Sequence, residues 1–249
     1  MLAITNLKKS FNKGKATEVM ALRGINLEIK TAEFVVIVGA NGSGKSTLLN
    51  SIAGRVLPDS GEVIIENTKV TRLAEHRRSK WIARVFQDPL SGTASELSIL
   101  ENFRLATLRT KPKLLNIGIT AAFEKQVYDQ VAQLGMGLEG KLHLPMGALS
   151  GGQRQALTLL MAVMDDVRVL LLDEPTAALD PRSAEMVMKI ADKLISSYNL
   201  TAILITHNMK EAFTYGNRII QMAEGKIVRD LNLPEKGNLS HTDLYEWFM

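Results

Sequence analysis

The chain has 249 residues, of which 46% are hydrophobic and 22% charged, with a formal net charge of +4. This composition supports one large buried core, and the lack of cysteine excludes disulfides and thiolate metal sites. The apolar runs are shorter than the ~20 residues that cross a bilayer, and Met1–Leu7 lacks the basic-then-apolar order of a signal peptide.

The first third of the chain predicts short strands and one buried strand. Apolar or alternating stretches predict an antiparallel sheet at Leu2–Leu7, Val19–Leu22, Ile25–Ile29 and Val63–Glu66. Phe34–Val38 is continuously apolar, as expected of a parallel strand buried on both faces. A short helix is predicted at Ser46–Gly54.

Between that strand and helix lies a glycine-rich loop, GANGSGKST. Glycines let successive N–H groups surround an anion, and the helix start adds its dipole. Lys45 would supply a charge between the β- and γ-phosphates, and the Ser46 hydroxyl would bind Mg²⁺. The motif therefore predicts a nucleoside triphosphate site built from Gly39, Asn41, Gly42, Ser43, Gly44, Lys45, Ser46 and Thr47.

The next stretch, Arg72–Arg84, is basic. It is either a solvated face or a patch for nucleic acid or lipid headgroups, and we expect no nucleic-acid partner. Trp81–Phe86 predicts a strand that returns to the core.

From Asp88 to Met164 the pattern is helical. Ser98 and Glu101 predict a capping box, and Thr120–Leu134 predicts a second helix. In the segment LSGGQRQ, Ser150, Gly151, Gly152 and Gln153 mark a further anion-binding helix start, with the helix itself predicted at Gln153–Met164.

A second buried strand, Val169–Leu172, is followed by two carboxylates. Parallel strands present ligand-binding residues at their carboxyl ends. Asp173 would hold Mg²⁺, and Glu174 would polarise the attacking water. The remaining predicted elements are a helix at Arg182–Ser197, a strand at Ala202–Ile205, a hairpin turning at Glu224-Gly225 and a last helix at His241–Met249.

From Met1 to about Asp230, these motifs resemble the ATP-binding cassette family. The resemblance implies an α/β fold, a P-loop NTPase (RecA-like) core with an N-terminal antiparallel β-subdomain and an inserted α-helical subdomain. It implies one domain over residues 1–249. The core and β-subdomain would occupy 1–87 and 165–230, the helical insert 88–164, and a C-terminal tail helix 231–249.

The resemblance also implies roles for residues outside the glycine loop. Gln87, in VFQDP, would sense Mg²⁺ and the γ-phosphate, and His207, in ITHN, would contact the γ-phosphate. Phe11 would stack on adenine with help from Val19, or it is an apolar anchor of the N-terminal sheet. Ala178–Asp180 would line a dimer interface.

In the family, the signature at Ser150 faces ATP held by the other subunit, so the resemblance implies a dimer. Its second ATPase subunit is a copy of this chain or a different chain. ATP and Mg²⁺ are the expected ligands. The chain departs from the commonest pattern at Ala156 and Leu160, where charges are frequent.

The segments FQDPLSGTASELSILENF and LSGGQRQALTLLMA resemble those of a subgroup of prokaryotic importer ATPases. These work at the cytoplasmic face of the membrane with a permease and an extracytoplasmic solute-binding protein, on small solutes such as tryptophan. Three alternatives stay open: an exporter-type partner, a membrane partner without a transport role, and a soluble mechanochemical ATPase.

In such transporters a short permease helix enters a groove beside the glutamine loop. We expect Asp88–Phe103 to line it, with apolar anchors at Leu90, Leu97, Leu100 and Phe103. Ile99 and Ala106 are expected to face the core of the insert, which is also the alternative for Phe103.

Overall fold

The computed structural model describes residues 1–108 and 118–247. In chain order the strands are β1 (Leu2–Phe11), β2 (Val19–Ile29), β3 (Phe34–Val38), β4 (Ser60–Ile65), β5 (Thr68–Lys69), β6 (Ile82–Val85), β7 (Val169–Asp173), β8 (Thr201–Ile205), β9 (Arg218–Ala223) and β10 (Lys226–Asn232). The helices are α1 (Lys45–Ala53), α2 (Glu75–Arg78), α3 (Ile99–Ala106), α4 (Ala121–Ala132), α5 (Gly151–Val163), α6 (Pro181–Ser197), α7 (Met209–Thr214), α8 (Leu233–Gly237) and α9 (His241–Glu246).

The central sheet has the order β10-β9-β3-β8-β7-β6, and all its pairs are parallel except the β9–β10 hairpin. Every residue of β3 and β8 is buried, because the sheet is covered on both faces. Alternate β3 residues belong to different apolar clusters: Val36 packs in the cluster that includes α5 and α6, and Val35 in the one that includes α1.

A second, antiparallel sheet of order β2-β1-β4-β5 lies beside this core, so the predicted fold class is confirmed. β2 is one continuous strand where the sequence predicted two. Gly24 interrupts the apolar pattern, but its φ of +88° and the shifts in the β1–β2 register absorb the irregularity without ending the strand.

Helices α3, α4 and α5 form the helical part between β6 and β7. The Ser98–Glu101 capping box is confirmed: Glu101 N donates to Ser98 Oγ at 3.2 Å, and Ser98 N donates to Glu101 Oε2 at 2.8 Å. Ile99 and Phe103 are buried against Val127 of α4 in the same cluster.

The C-terminal segment differs from the single tail helix predicted for 231–249. Leu231 still pairs in β10, and the Asn232 side chain accepts from Glu235 N to start the separate helix α8. Gly237 ends that helix, and α9 follows. The last two residues of the predicted helix lie outside the described residues.

Within the described ranges, none of the helices combines the length and the hydropathy that crossing a bilayer requires.

Candidate nucleotide-binding and active site

Four neighbouring parallel strands end at one edge of the central sheet, and each is followed by predicted site residues. Gly39 follows β3, His207 comes two residues after β8, and Gln87 comes two residues after β6. Asp173 is the last residue of β7 and Glu174 follows it. Because β3, β8, β7 and β6 are consecutive in the sheet, the fold brings these residues to the same edge.

The glycine loop is shaped by close approach to β9. Gly39 has a φ of +142°, and a Cβ there would lie 2.1 Å from the Met222 carbonyl oxygen, so only glycine fits. The Lys45 ammonium donates to the carbonyls of Gly39 at 2.7 Å and Ala40 at 3.0 Å. Burial lowers the pKa of Lys45, and the negative charge of Glu174 opposes this effect. The loop thus holds the Lys45 ammonium against two of its own carbonyl oxygens.

Glu174 and His207 are in direct contact. The distance between Glu174 Oε1 and His207 Nε2 is 2.9 Å. Glu174 has a φ of +49°, which is uncommon and strained for a residue with a side chain, and its N–H donates to the Ile205 carbonyl at 3.0 Å. This strained turn places the Glu174 carboxylate beside His207, just after the end of β7.

A buried carboxylate that the sequence analysis missed supports this turn from beneath. Glu211 of α7 is 5% exposed and accepts hydrogen bonds from the hydroxyls of Thr176 at 2.6 Å and Thr206 at 2.5 Å. Thr176 follows Glu174 by two residues, and Thr206 precedes His207. Glu211 therefore fixes the two loops that carry the Glu174–His207 pair.

The predicted Mg²⁺ ligands carry hard oxygen donors. Ser46 is exposed in the first turn of α1, Gln87 is exposed after β6, and Asp173 is half-buried at the end of β7. In the part of the chain that the structure describes, no group of three or more His, Cys, Asp or Glu side chains could hold a metal alone. This set suits Mg²⁺, which binds through one or two carboxylates together with phosphate oxygens.

Phe11 and Val19 form an exposed pair where β1 meets β2. They are register partners, and their side chains are 39% and 59% exposed. A hydrogen-bond chain ties β2 to the glycine loop: Arg23 N donates to Gly225 O at 2.9 Å, and Gly225 N donates to Ser43 O at 3.0 Å. Phe11 is thus an exposed aromatic at the strand end, and the alternative that it anchors the sheet core is not supported.

The signature residues start helix α5 two residues earlier than predicted, at Gly151. Gln153 N donates to Ser150 Oγ at 3.3 Å and Ser150 N donates to Gln153 Oε1 at 3.1 Å, a capping box readable from the Ser-x-x-Gln spacing. A Cβ on Gly152 would lie 2.8 Å from Ser183 Cβ, so this glycine allows α5 to pack closely on α6.

The three residues predicted at a dimer interface, Ala178–Asp180, form the turn before α6. The Asp180 carboxylate caps α6 by accepting from the N–H groups of Arg182 and Ser183, both at 3.1 Å. Leu179 packs beside the signature, because a Cβ on Gly151 would lie 3.1 Å from Leu179 Cδ2.

The predicted anchors of the docking groove are only partly available. Leu90 is 49% exposed and Leu97 is half-buried, but Leu100 and Phe103 are 2% and 0% exposed, so the assignment of Leu100 and Phe103 as surface anchors is wrong. Both lie on the buried face of α3, in agreement with the alternative prediction that Phe103 faces the core of the insert. Leu105, 49% exposed, was missed, and it lines a cavity of about 520 Å³ together with Met161 of α5.

The strand order, the glycine loop after β3 and the acidic pair after β7 define a P-loop ATPase with an inserted helical lobe. Residues 22–177 match the family model described as ABC transporter, and the chain belongs to that family. It is the ATP-binding, ATP-hydrolysing part of a transporter.

Two curated relatives are similar to this chain over most of its length. The tyrosine transport ATP-binding protein of Clostridioides difficile (strain R20291) is 39% identical over 100% of this chain and 98% of its own length. The macrolide export ATP-binding/permease protein MacB of Campylobacter fetus subsp. fetus (strain 82-40) is 35% identical over 92% of this chain, which matches 34% of that protein.

The fold of this chain is also similar to that of a solved structure. The ATP-binding cassette MJ0796, in a dimeric post-hydrolysis state bound to ADP and Pi, is similar with a TM-score of 0.78 and 31% identity. The similarity covers 94% of this chain and 99% of that one.

Proposed function

We propose that this chain is the ATPase subunit of an importer for a small solute such as an aromatic amino acid. The chain works as one of two ATPase subunits at the cytoplasmic face of the membrane. The two subunits drive a separate permease, to which an extracytoplasmic solute-binding protein delivers the solute. The observation that carries the proposal is the meeting of the glycine loop, the Glu174–His207 pair, Asp173 and Gln87 at one sheet edge. The full-length similarity to the tyrosine transport protein supports the cargo class.

In this proposal the glycine loop binds the phosphates of ATP. The Lys45 ammonium, held by two loop carbonyls, exchanges part of that contact for phosphate oxygens. Asn41, Gly42, Ser43, Gly44 and Thr47 complete the loop, and Phe11 stacks on the adenine ring. Exposure of Phe11 and its position on the strand pair tied to Ser43 support this role.

Ser46, Gln87 and Asp173 are assigned to Mg²⁺. The ion, when bound, neutralises charge on the β- and γ-phosphates. Glu174 orients the attacking water and accepts its proton, since the strained backbone turns this carboxylate toward the sheet edge. His207 is the neighbouring group that contacts the γ-phosphate, and Glu211 keeps both loops in place.

Each active site is completed by a second subunit. Ser150, Gly151, Gly152 and Gln153 start a 13-residue helix whose N-terminal end suits an anion, and they lie against the turn before α6. In this chain that end serves the ATP of the partner. The dimeric form of MJ0796 with ADP and Pi supports the pairing.

The permease would dock at the cavity between the Leu90–Leu105 segment and α5. Its occupant is a short cytoplasmic helix of the permease, bound by Leu105 and Met161 in the cavity wall and by the exposed Leu90, which precedes the lining residue Ser91. Gln87 lies three residues before Leu90, so closure on ATP would be transmitted directly to this helix. The similarity to MacB keeps an exporter-type partner as the second candidate.

The test is reconstitution in vesicles with a permease and a solute-binding protein that co-purify with this chain. ATP should drive uptake of labelled tyrosine or tryptophan, while efflux would favour the exporter alternative. Leu90→Glu and Leu105→Glu should abolish transport and permease binding and preserve basal ATPase activity in detergent. Tyr128→Glu is the matched control, because Tyr128 is 48% exposed on α4, outside the cavity. Unchanged permease binding and transport in both leucine variants would contradict the docking surface.

A further inference from the structure

Arg84 is a charged residue within an otherwise apolar four-residue strand. Its neighbours on β6, Ala83 and Val85, are buried, and its own side chain is only 8% exposed. A charged side chain is buried to this extent only where partners compensate for the lost water. The partners of Arg84 therefore indicate its role.

The guanidinium of Arg84 contacts two of the elements that carry the proposed Mg²⁺ ligands. Nη2 donates to Oδ2 of Asp173, itself one of those ligands, at 2.5 Å. Nη1 donates to Oδ1 of Asn50 at 2.7 Å. Asn50 lies four residues after Ser46 on α1, so the two residues share one face of that helix.

Arg84 also contacts the segment that carries the third proposed Mg²⁺ ligand, Gln87, through an aromatic ring. The central carbon of the Arg84 guanidinium lies 4.7 Å from the ring centre of Phe86, the residue before Gln87. One side chain thus connects the end of β7, the glycine-loop helix and the start of the glutamine loop. Its Nε is buried without a hydrogen-bond partner among the residues the structure describes, so the two terminal nitrogens carry the polar contacts.

We propose that Arg84 is a positioning residue that orients the Asp173 carboxylate toward Mg²⁺, an inference that rests on the proposed function. The planar guanidinium holds Oδ2, so Oδ1 would be the oxygen that binds the ion or a water on the ion. Lysine cannot replace this geometry, because an ammonium lacks the rigid fork that reaches Asp173 and Asn50 together.

Two effects of the guanidinium on Mg²⁺ have opposite signs. Its positive charge repels the ion, whereas its hydrogen bond fixes the carboxylate that attracts the ion. We expect orientation to dominate, because the Asp173 side chain is only 17% exposed and is held by Arg84 Nη2 at 2.5 Å. Loss of such an outer partner commonly weakens metal binding or activity by about 10- to 100-fold.

The test measures binding of a fluorescent, non-hydrolysable ATP analogue to the purified chain, first without Mg²⁺ and then across a Mg²⁺ titration. In Arg84→Met, binding without Mg²⁺ should match the wild type, and the Mg²⁺ midpoint should rise at least about tenfold. Arg84→Lys should show a smaller rise. Arg218→Met is the matched control: it removes an arginine paired with Asp230 and Glu33, and its midpoint should equal that of the wild type.

An unchanged or lower Mg²⁺ midpoint in Arg84→Met would overturn the inference. An unchanged midpoint would mean that positioning by Arg84 makes no net contribution to Mg²⁺ binding, and a lower one that charge repulsion outweighs positioning. Should Arg84→Met fail to fold, Asn50→Ala decides, because it removes the second contact of the guanidinium and keeps every charge. Its midpoint should rise, and an unchanged midpoint would overturn the positioning role. A wild-type chain whose nucleotide binding ignores Mg²⁺ would overturn the proposed Mg²⁺ site together with this inference.

Discussion

Arg78 closes the end of the glycine-loop helix, and its replacement by methionine should destabilise the whole chain. The side chain is fully buried. Nη1 donates to the carbonyls of Ser51 and Ile52, both at 2.7 Å, Nε to Leu73 O at 2.9 Å and Nη2 to Thr71 O at 2.9 Å. The first two carbonyls belong to the last turn of α1, where a helix supplies no partners of its own.

The size of the effect follows from the four hydrogen bonds. Hydrogen bonds from a charged group contribute about 1.5 kcal/mol each after the cost of desolvation, or about 6 kcal/mol for the four contacts of Arg78. Burial lowers the pKa of Arg78 to about 10, because the guanidinium has lost its contact with water. Arg78→Met should therefore lower the free energy of unfolding by about 6 kcal/mol, or the Tm by about 12–24 °C.

Urea denaturation followed by far-UV circular dichroism measures this change. Arg77→Met is the control, because Arg77 is exposed on the same short helix and its loss should stay within about 0.5 kcal/mol. If Arg78→Met unfolds at the same urea concentration as Arg77→Met, the four hydrogen bonds do not stabilise the chain and the reasoning is refuted.

Two further predictions concern the active site and the C-terminal segment. Glu174→Gln should abolish ATP turnover and preserve ATP binding, whereas Lys45→Ala should weaken ATP binding itself. Steady-state hydrolysis and equilibrium nucleotide binding distinguish the two variants, and wild-type turnover in Glu174→Gln would disprove the assigned base. Burial lowers the pKa of Lys236 to about 8, and the unfolded chain keeps that proton up to about pH 10, so wild-type stability should rise relative to Lys236→Met as the pH increases between these values. A pH-independent stability difference in urea titrations would contradict the assignment to Lys236.

The parts of the site that the sequence predicted share one property: their signal is local. The glycine loop, the pair Asp173-Glu174 and His207 each follow a buried apolar run, so the strand and the polar group are read from the same few residues. Parallel pairing then places such groups at one edge, without any knowledge of distant contacts.

The parts that the sequence did not predict depend on distant partners. Arg84 pairs with Asp173, 89 residues away, and Glu211 pairs with Thr176, 35 residues away. Neither pairing leaves a periodic pattern, although an arginine inside the apolar stretch Trp81–Phe86 was a usable signal.

The two wrong surface anchors have a different cause. Leu100 and Phe103 are apolar residues of a short amphipathic helix, and the sequence alone does not say how wide its buried face is. Packing against α4 and α5 buries both residues and leaves Leu105 exposed on the other side.

The central claim is that each ATPase site is shared by two subunits. Complementation between two inactive variants tests this claim most directly. Lys45→Ala removes the phosphate-binding cation and keeps an intact signature, and Ser150→Arg blocks the signature and keeps an intact glycine loop. Each variant alone should be inactive, and a mixture should regain ATP hydrolysis, because a mixed dimer contains one site with both parts intact. Continued inactivity of the mixture under conditions where mixed dimers form, or full hydrolysis by a strictly monomeric wild-type chain, would contradict the account.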